Sequence, residues 1–162
     1  MTILSLCEWL QNTGWASGIK HSDWKFPLIE SIHSLGLAAI LWPAVILDLR
    51  LLGGVMKRRT VSQVAGQFLP WIWSGFVVMV TTGGILFCAE AVKCYKSPFF
   101  RTKLVLLMLT GVNALVFHTG VFKHADTWDH GGATPWKARM AGISSLTLWI
   151  GVVAMGRALA YA

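Results

Sequence analysis

The chain has 162 residues, of which 55% are hydrophobic and only 13% are charged. Soluble domains carry roughly 25% charged residues, so this composition excludes an ordinary soluble protein. The formal net charge of +7 does not predict nucleic-acid binding, because the Lys and Arg residues lie mainly at the ends of apolar runs, where they meet lipid headgroups. A membrane span needs about 20 apolar residues, so the length predicts one membrane domain of four spans.

The first apolar stretch is too short to cross a bilayer. Ile3, Leu6, Cys7 and Leu10 share one helical face, which predicts an amphipathic helix over residues 3–12 that lies in the membrane interface. The stretch has no basic leader and no small-residue cleavage pattern, so no removable signal peptide is predicted. The three cysteines have no metal-type spacing and predict neither a disulfide framework nor a zinc site.

Four longer apolar stretches follow, and signals that start helices precede them. The strongest signals are the capping-box spacing of Thr60 with Gln63 and the dipeptides Ser97-Pro98 and Thr134-Pro135. The predicted spans are 26–52, 68–89, 98–122 and 140–161. The predicted fold class is therefore all-α, a bundle of four transmembrane helices with a short interfacial helix before it.

Small residues recur along the fourth span. Ser144, Gly151 and Ala158 are seven residues apart, and small side chains let membrane helices approach closely. The stripe predicts a helix-packing seam, although the same seam could make room for a flat macrocycle.

The positive charges divide almost equally between the two sides of the membrane. The dense run between Arg50 and Arg59 favours a cytoplasmic first connection. This places both termini on the periplasmic side of a bacterial inner membrane.

Ionisable residues inside spans are costly, and the first group of them lies at one depth. Glu30 and His33 share a helix face, and Lys103 and Arg157 lie at a similar level. One interpretation is an internal polar network of Glu30 with Lys or Arg. Another is a metal site, because a carboxylate and an imidazole three residues apart can bind one ion.

A second group lies toward the opposite membrane face. It contains His118, Asp48 and Arg50, with serines of the second and fourth spans nearby, and Asn113 lies closer to the membrane centre. His118 follows an apolar run, so we consider it a candidate haem ligand, with Arg50 or Arg139 available for propionates. The alternative is a histidine that only bonds to a neighbouring helix.

The depths of the two histidines exclude the simplest haem site. His33 and His118 lie on parallel helices but differ in depth by roughly 22 Å at about 1.5 Å per residue, so they cannot bind the same iron. A haem protein would then have either two sites completed by other ligands, such as Met155 for His33, or one protein ligand and an open face for each iron.

The last connection is rich in His and Asp. It reads His124-Ala-Asp126-Thr-Trp-Asp129-His130 and could bind a surface metal ion. No fixed ligand spacing supports a metal site, so the prediction is a solvated polar loop.

Several motifs together resemble an uncharacterised family of small bacterial four-helix membrane proteins. The matching stretches are Pro27-Leu-Ile-Glu-Ser-Ile-His33-Ser-Leu-Gly36, Leu47-Asp-Leu-Arg50-Leu-Leu-Gly53, Phe99-Phe-Arg-Thr-Lys103, Gly111-Val-Asn-Ala-Leu-Val-Phe-His118, Ala125-Asp-Thr-Trp-Asp129 and Gly156-Arg157. The family has no established activity. More distantly, His33 and the helix from Lys103 to His118 look like parts of membrane b-type cytochromes, copper-resistance membrane proteins and membrane-bound protoporphyrinogen oxidases.

These observations leave two main hypotheses for function. The first is a membrane protein that binds haem b and transfers electrons within the bilayer, with quinone or a partner redox protein. His33 and His118 are its candidate ligands, Glu30 would carry protons, and arginines such as Arg157 would hold propionates or anionic lipid. The second is a cofactor-free accessory subunit that docks on a membrane partner or a second copy. Metal binding at Glu30 and His33 is a third reading.

Overall fold

The computed structural model describes residues 2–56, 58–129 and 134–161, except for the side chain of Asp126. These residues form seven α-helices and no strand, which confirms the all-α fold class. The helices are α1 (Ile3–Gln11), α2 (Gly14–Lys20), α3 (Lys25–Leu51), α4 (Val61–Ala89), α5 (Ala91–Lys96), α6 (Pro98–Val116) and α7 (Trp136–Tyr161).

Four of the helices are long and apolar enough to cross a membrane, namely α3, α4, α6 with the turns that continue it, and α7. Helix α4 begins at its capping box, in which the Thr60 hydroxyl accepts from the Gln63 N–H and the Gln63 side chain accepts from the Thr60 N–H. Helix α7 begins at Trp136, directly after Thr134-Pro135. Both helices therefore start before the apolar segments predicted as spans, because the capping residues set their first turns.

The third span does not continue as a regular α-helix to Phe122. Helix α6 ends at Val116 and is followed by a π-helical turn, Phe117–Val121, and a 3₁₀ turn, Phe122–Thr127. A π-helical turn places one extra residue in the helical turn, so it rotates the chain that follows relative to α6.

The four spans are arranged in an arc in the order α4, α3, α7 and α6. At the contact of α3 with α4, a Cβ atom added to Gly75 would lie 2.7 Å from Ile40 Cγ1 and 3.1 Å from the carbonyl oxygen of Gly36. Among the described residues, α4 and α6 approach each other mainly through the stacked rings of Phe87 and Phe100, whose centroids are 5.6 Å apart. The outer members of the arc therefore meet near one end.

The two ends of the bundle are covered differently. At the end called here the His33 end, the short helices α1, α2 and α5 lie beside the start of α6 and the end of α4. The Gln11 side chain of α1 accepts a hydrogen bond from the Val92 N–H of α5 at 3.2 Å. At the other end, called the Asp48 end, α3 and α7 pack against each other and the connections between spans complete the surface.

Candidate functional site

The imidazole of His33 is held between α3 and α4. His33 is partly buried, and its Nδ1 lies 2.8 Å from the hydroxyl oxygen of Thr82. That hydroxyl also lies 2.6 Å from the Val78 carbonyl oxygen of its own helix. A carbonyl can only accept, so the single hydroxyl hydrogen of Thr82 is donated to Val78.

This arrangement selects one tautomer of the His33 ring. Because Thr82 has no second hydrogen to give, Nδ1 of His33 must donate its own hydrogen to the Thr82 oxygen. In the neutral ring, Nε2 then carries the unshared electron pair. Histidines that bind metals are commonly oriented in this way, with the second ring nitrogen donating to an oxygen atom.

Small residues of α4 and α7 lie beside this histidine and its neighbour Lys103. Gly83 of α4 makes room for the ring, since a Cβ atom there would lie 3.2 Å from His33 Cε1. The ammonium group of Lys103 on α6 is close enough to act electrostatically on His33. The same ammonium group lies over Gly156 of α7, at 3.6 Å from the position of a Cβ atom. The small residues Gly83 and Gly156 thus allow a histidine and a lysine to occupy the interior.

The structure brings together only part of the first predicted group. His33 and Lys103 are neighbours, but Glu30 is exposed on α3 one turn earlier. Arg157 is also exposed, and it donates to the Tyr161 hydroxyl at 2.8 Å while its guanidinium lies over the tyrosine ring. Among the described residues, no three His, Cys, Asp or Glu side chains come together as a metal site.

The second predicted group is also divided. Asp48 is 6% exposed and lies beside Ser145 of α7, whereas Arg50 donates from Nε to the Arg59 carbonyl at 2.8 Å. His118 is exposed on the π-helical turn and stacks on Phe122 with a centroid distance of 4.9 Å. Asp48 and Ser145 therefore form a contact of their own, without His118.

The side chains of the last two predicted site residues, Arg139 and Asn113, each contact a backbone carbonyl of another element. Arg139 is exposed and its Nη2 lies 3.5 Å from the carbonyl oxygen of Leu52. The side-chain amide of Asn113 donates to the Ala141 carbonyl at 3.0 Å, which fastens α6 to α7.

An open groove of about 530 Å³ runs along the outer side of α6 and α7. Its walls are mostly apolar, and its lining residues are Leu109, Val112, Asn113, Val116, Ile143, Ser144, Thr147 and Leu148. The small-residue stripe of α7 is therefore divided. Gly151 packs against α6, since a Cβ atom there would lie 3.0 Å from Leu106 Cδ1, while Ser144 lines the groove.

Asp129 has a role that the sequence did not reveal. Its carboxylate accepts from the Val61 N–H at 2.6 Å and from the Ser62 N–H at 2.8 Å, which are the first two residues of α4. Partial burial acts to raise the pKa of Asp129, but these hydrogen bonds, together with the nearby Arg50, outweigh it and hold the pKa below its usual value. The side chain of Asp126, together with His130, lies outside the described residues, so the interpretation of the whole segment as a solvated loop is not settled by them.

The Cys94 thiol near the His33 end is kept in its neutral form. Burial, and then the Glu90 carboxylate, raise the pKa of Cys94 to about 11. Cys7 of α1 is buried nearby. Because the thiolate is the form that binds metals and attacks electrophiles, Cys94 contributes packing to this end and not reactivity.

Two partners of the site were missed by sequence reasoning. Thr82 and Asp129 lie 49 and 68 residues from the groups they bind. The adjacent glycines Gly83 and Gly84 were a usable signal for close approach at the level of Thr82, because glycine inside a helix commonly marks tight packing. No comparable local signal marks Asp129.

The fold and the polar interior define a class, that of small membrane proteins with four spanning helices. Within this class, the chain belongs to a family of unknown function, DUF6644, whose model matches residues 18–162. No curated protein and no solved structure matches the chain significantly.

Proposed function

We propose that this chain is a membrane protein that binds haem b and transfers electrons within the bilayer, with His33 as the protein ligand to the iron. The observation that carries the proposal is the oriented imidazole of His33, whose Nδ1 donates to Thr82 and whose Nε2 is left to bind. Haem iron is commonly held by a histidine whose orientation is fixed by such a hydrogen bond.

The charged residues near His33 suit a haem group. Haem carries two propionates, and Lys103 lies next to His33 while Arg157 follows Gly156 on the neighbouring helix. Gly83 and Gly156 keep bulk away from the imidazole and the ammonium group. The bound group would supply one-electron chemistry, and a lipid-soluble quinone would be a suitable partner because the site lies within the spans.

His118 is a weaker candidate ligand in this proposal. It lies about 22 Å further along the third span than Lys103, at about 1.5 Å per residue, so it cannot bind the same iron as His33. Its ring is exposed and stacked on Phe122. We therefore use it as the matched control for His33.

The test is an absorption spectrum of the protein purified in mild detergent from cells that make haem. We expect a Soret band in the wild type, loss of that band in His33→Ala and its retention in His118→Ala. Imidazole added to His33→Ala should restore part of the band, since it can fill the space of the lost ring. The variant Thr82→Val should keep the band but weaken haem affinity by about 10-fold to 100-fold, because it removes the hydrogen bond that orients the ligand imidazole.

Two outcomes would contradict this proposal. One is the absence of a Soret band from wild-type protein that is shown by circular dichroism and gel filtration to be folded and monodisperse. The other is a normal band in His33→Ala, which would exclude His33 as the ligand.

A second candidate function is supported by the groove between α6 and α7. Asn113, Ser144 and Thr147 line it, and polar side chains on the outside of a membrane helix pair are typical of helix docking. The protein would then be an accessory subunit without a cofactor, bound to a partner or to a second copy. Replacing Ser144 and Thr147 by Leu should release the partner in gentle purification, with the surface residue Thr81 changed to Leu as the control.

We also propose an orientation. The dense cluster of Arg50, Arg58 and Arg59 lies at the Asp48 end, and a cluster of positive residues directly after a span favours the cytoplasmic side. The termini would then lie in the periplasm of a bacterium with this protein in its inner membrane. A reporter enzyme fused after Tyr161 that is active only in the periplasm tests this.

A further inference from the structure

Asp48 is a buried carboxyl group whose surroundings do not balance a negative charge. It lies on α3 one turn before the helix ends at Leu51, it is 6% exposed, and its Oδ2 atom is buried with no hydrogen-bond partner. Helix α7 comes very close here, since a Cβ atom at Gly142 would lie 3.1 Å from the Asp48 carbonyl oxygen. The neighbouring polar side chain from α7 is Ser145.

The charged groups of the neighbouring elements point elsewhere. Helix α4 contains no Asp, Glu, Lys, Arg or His in its whole length. On α7, Lys137 and Arg139 are exposed, and Arg139 contacts the Leu52 carbonyl. On α3 itself, Arg50 donates to the Arg59 carbonyl and acts electrostatically on Asp129. The segment that follows α6 packs against Leu51, and its His118, Lys123 and His124 side chains are exposed. Within the described part of the chain, no cation neutralises Asp48.

A carboxylate in this position would be costly, because Asp48 is only 6% exposed and no cation of the described residues lies against it to stabilise its charge. Uptake of a proton removes the charge and turns one carboxylate oxygen into an O–H donor, for which the hydroxyl oxygen of Ser145 is the nearby acceptor. The proton comes from water, and no electron is gained or lost in this step.

We propose that Asp48 is a proton-binding site of the membrane domain, which exchanges its proton with the aqueous phase at the Asp48 end. The exchange path is short. Asp48 is three residues from the end of α3, a distance of about 5 Å along the helix at about 1.5 Å per residue. The site is formed by α3 and α7 alone, so a failure of haem binding at His33 would not contradict it.

Asp129 provides an internal comparison at the same end of the molecule. Its carboxylate receives two backbone N–H groups and the nearby Arg50, which is the environment of a permanent anion. The two aspartates are thus assigned opposite states at neutral pH, Asp48 with its proton and Asp129 without.

Infrared spectroscopy distinguishes these states directly, because a protonated carboxyl group has a C=O stretch that a carboxylate lacks. The experiment uses the full chain in lipid nanodiscs at neutral pH, in H₂O and in D₂O. We expect a protonated-carboxyl band that shifts in D₂O, disappears in Asp48→Asn and remains in Asp129→Asn. Absence of the band from the wild type, or its persistence in Asp48→Asn, would overturn the proposal.

A second variant keeps the test decisive if Asp48→Asn does not fold. Ser145→Ala leaves the carboxyl group in place but removes its hydrogen-bond partner, so the band should move to higher frequency without losing intensity. A band that is unchanged in Ser145→Ala would contradict the assignment to Asp48. Titration with NaCl tests the competing ligand, because a band that vanishes as Na⁺ is added would identify a sodium site and overturn the proton site.

Discussion

At the His33 end, three short helices cover the bundle and the interior histidine finds a hydrogen-bond partner on another helix. His33 donates to Thr82, and Lys103 lies over Gly156. At the Asp48 end, the connections between spans form the cover, and the two aspartates differ from each other. Both carboxylate oxygens of Asp129 accept hydrogen bonds from the first turn of α4, whereas Asp48 Oδ2 has no hydrogen-bond partner. The comparison shows that two aspartates at the same end of one small protein differ in whether the neighbouring backbone satisfies their carboxyl oxygens.

The largest effect is expected from one glycine of α7 at the Asp48 end. A Cβ atom at Gly142 would press on the Asp48 backbone at 3.1 Å, and a backbone cannot move aside cheaply. Gly142→Ala should therefore lower the free energy of unfolding by about 1–3 kcal/mol, the usual cost of overpacking. The measurement is reversible unfolding in mixed micelles of increasing sodium dodecyl sulfate.

The matched control lies on the same helix at the His33 end. At Gly156 the new methyl group would meet only the flexible tip of Lys103 at 3.6 Å. Gly156→Ala should be neutral or should stabilise by up to about 1 kcal/mol, because alanine favours the helix. Equal destabilisation by both variants would show that the two crossings are packed alike.

A smaller effect is expected from the cap that Asp129 provides. Asp129→Ala removes the acceptor for the Val61 and Ser62 N–H groups, and lost N-caps typically cost about 1–2 kcal/mol. Thr60→Ala is the comparison, because it removes the N-cap hydroxyl that accepts from the Gln63 N–H in the same first turn. If Asp129→Ala left stability unchanged, the carboxylate could not be holding the start of α4.

The contribution of Asp129 should also depend on pH. Its pKa in the folded protein is lower than in the unfolded chain, so the folded state is stabilised by the ionised form. The stabilisation is complete above the unfolded value, which is about 4 for Asp, and is lost as the pH falls through the folded value. The stability difference between wild type and Asp129→Asn should be constant near neutral pH and shrink in acid.

The smallest effect is expected from the hydrogen bond to His33. Thr82→Val keeps the shape of the side chain but removes the acceptor of the Nδ1 hydrogen, and hydrogen bonds between membrane helices contribute about 0.6–2 kcal/mol. Thr81→Val is the control, because Thr81 is exposed and bonds only to the Val77 carbonyl of its own helix. A loss of stability in Thr81→Val as large as in Thr82→Val would show that the bond to His33 has no special role.

The parts of the structure that were predictable depend on local signals. Thr60 with Gln63 and Thr134-Pro135 mark the starts of α4 and α7 because capping acts within one turn. The pairing of His33 with Thr82 could not be predicted in the same way. Inward and lipid-facing residues of a span are both apolar, so the sequence does not determine the rotation of α4 about its axis. That rotation decides whether Thr81 or Thr82 faces α3.

The division of the two predicted polar groups has a similar explanation. Sorting residues by depth places Glu30 near His33 and His118 near Asp48. Depth does not say whether a side chain faces the inside of the bundle or the outside. Glu30 and His118 are exposed on the outside of their helices, and the π-helical turn at Phe117–Val121 changes the rotation of the segment that leads to Asp129. A change from α-helical to π-helical turn has no clear signature in an apolar sequence.

The arc of helices has a consequence for how its outer members are held together. Its outer members, α4 and α6, are joined near the His33 end by the rings of Phe87 and Phe100. At the Asp48 end, Asp129 ties the chain that follows α6 to the first turn of α4. Within the described part of the chain, α4 and α6 are therefore tied to each other near both ends of the bundle, although they do not pack along their length.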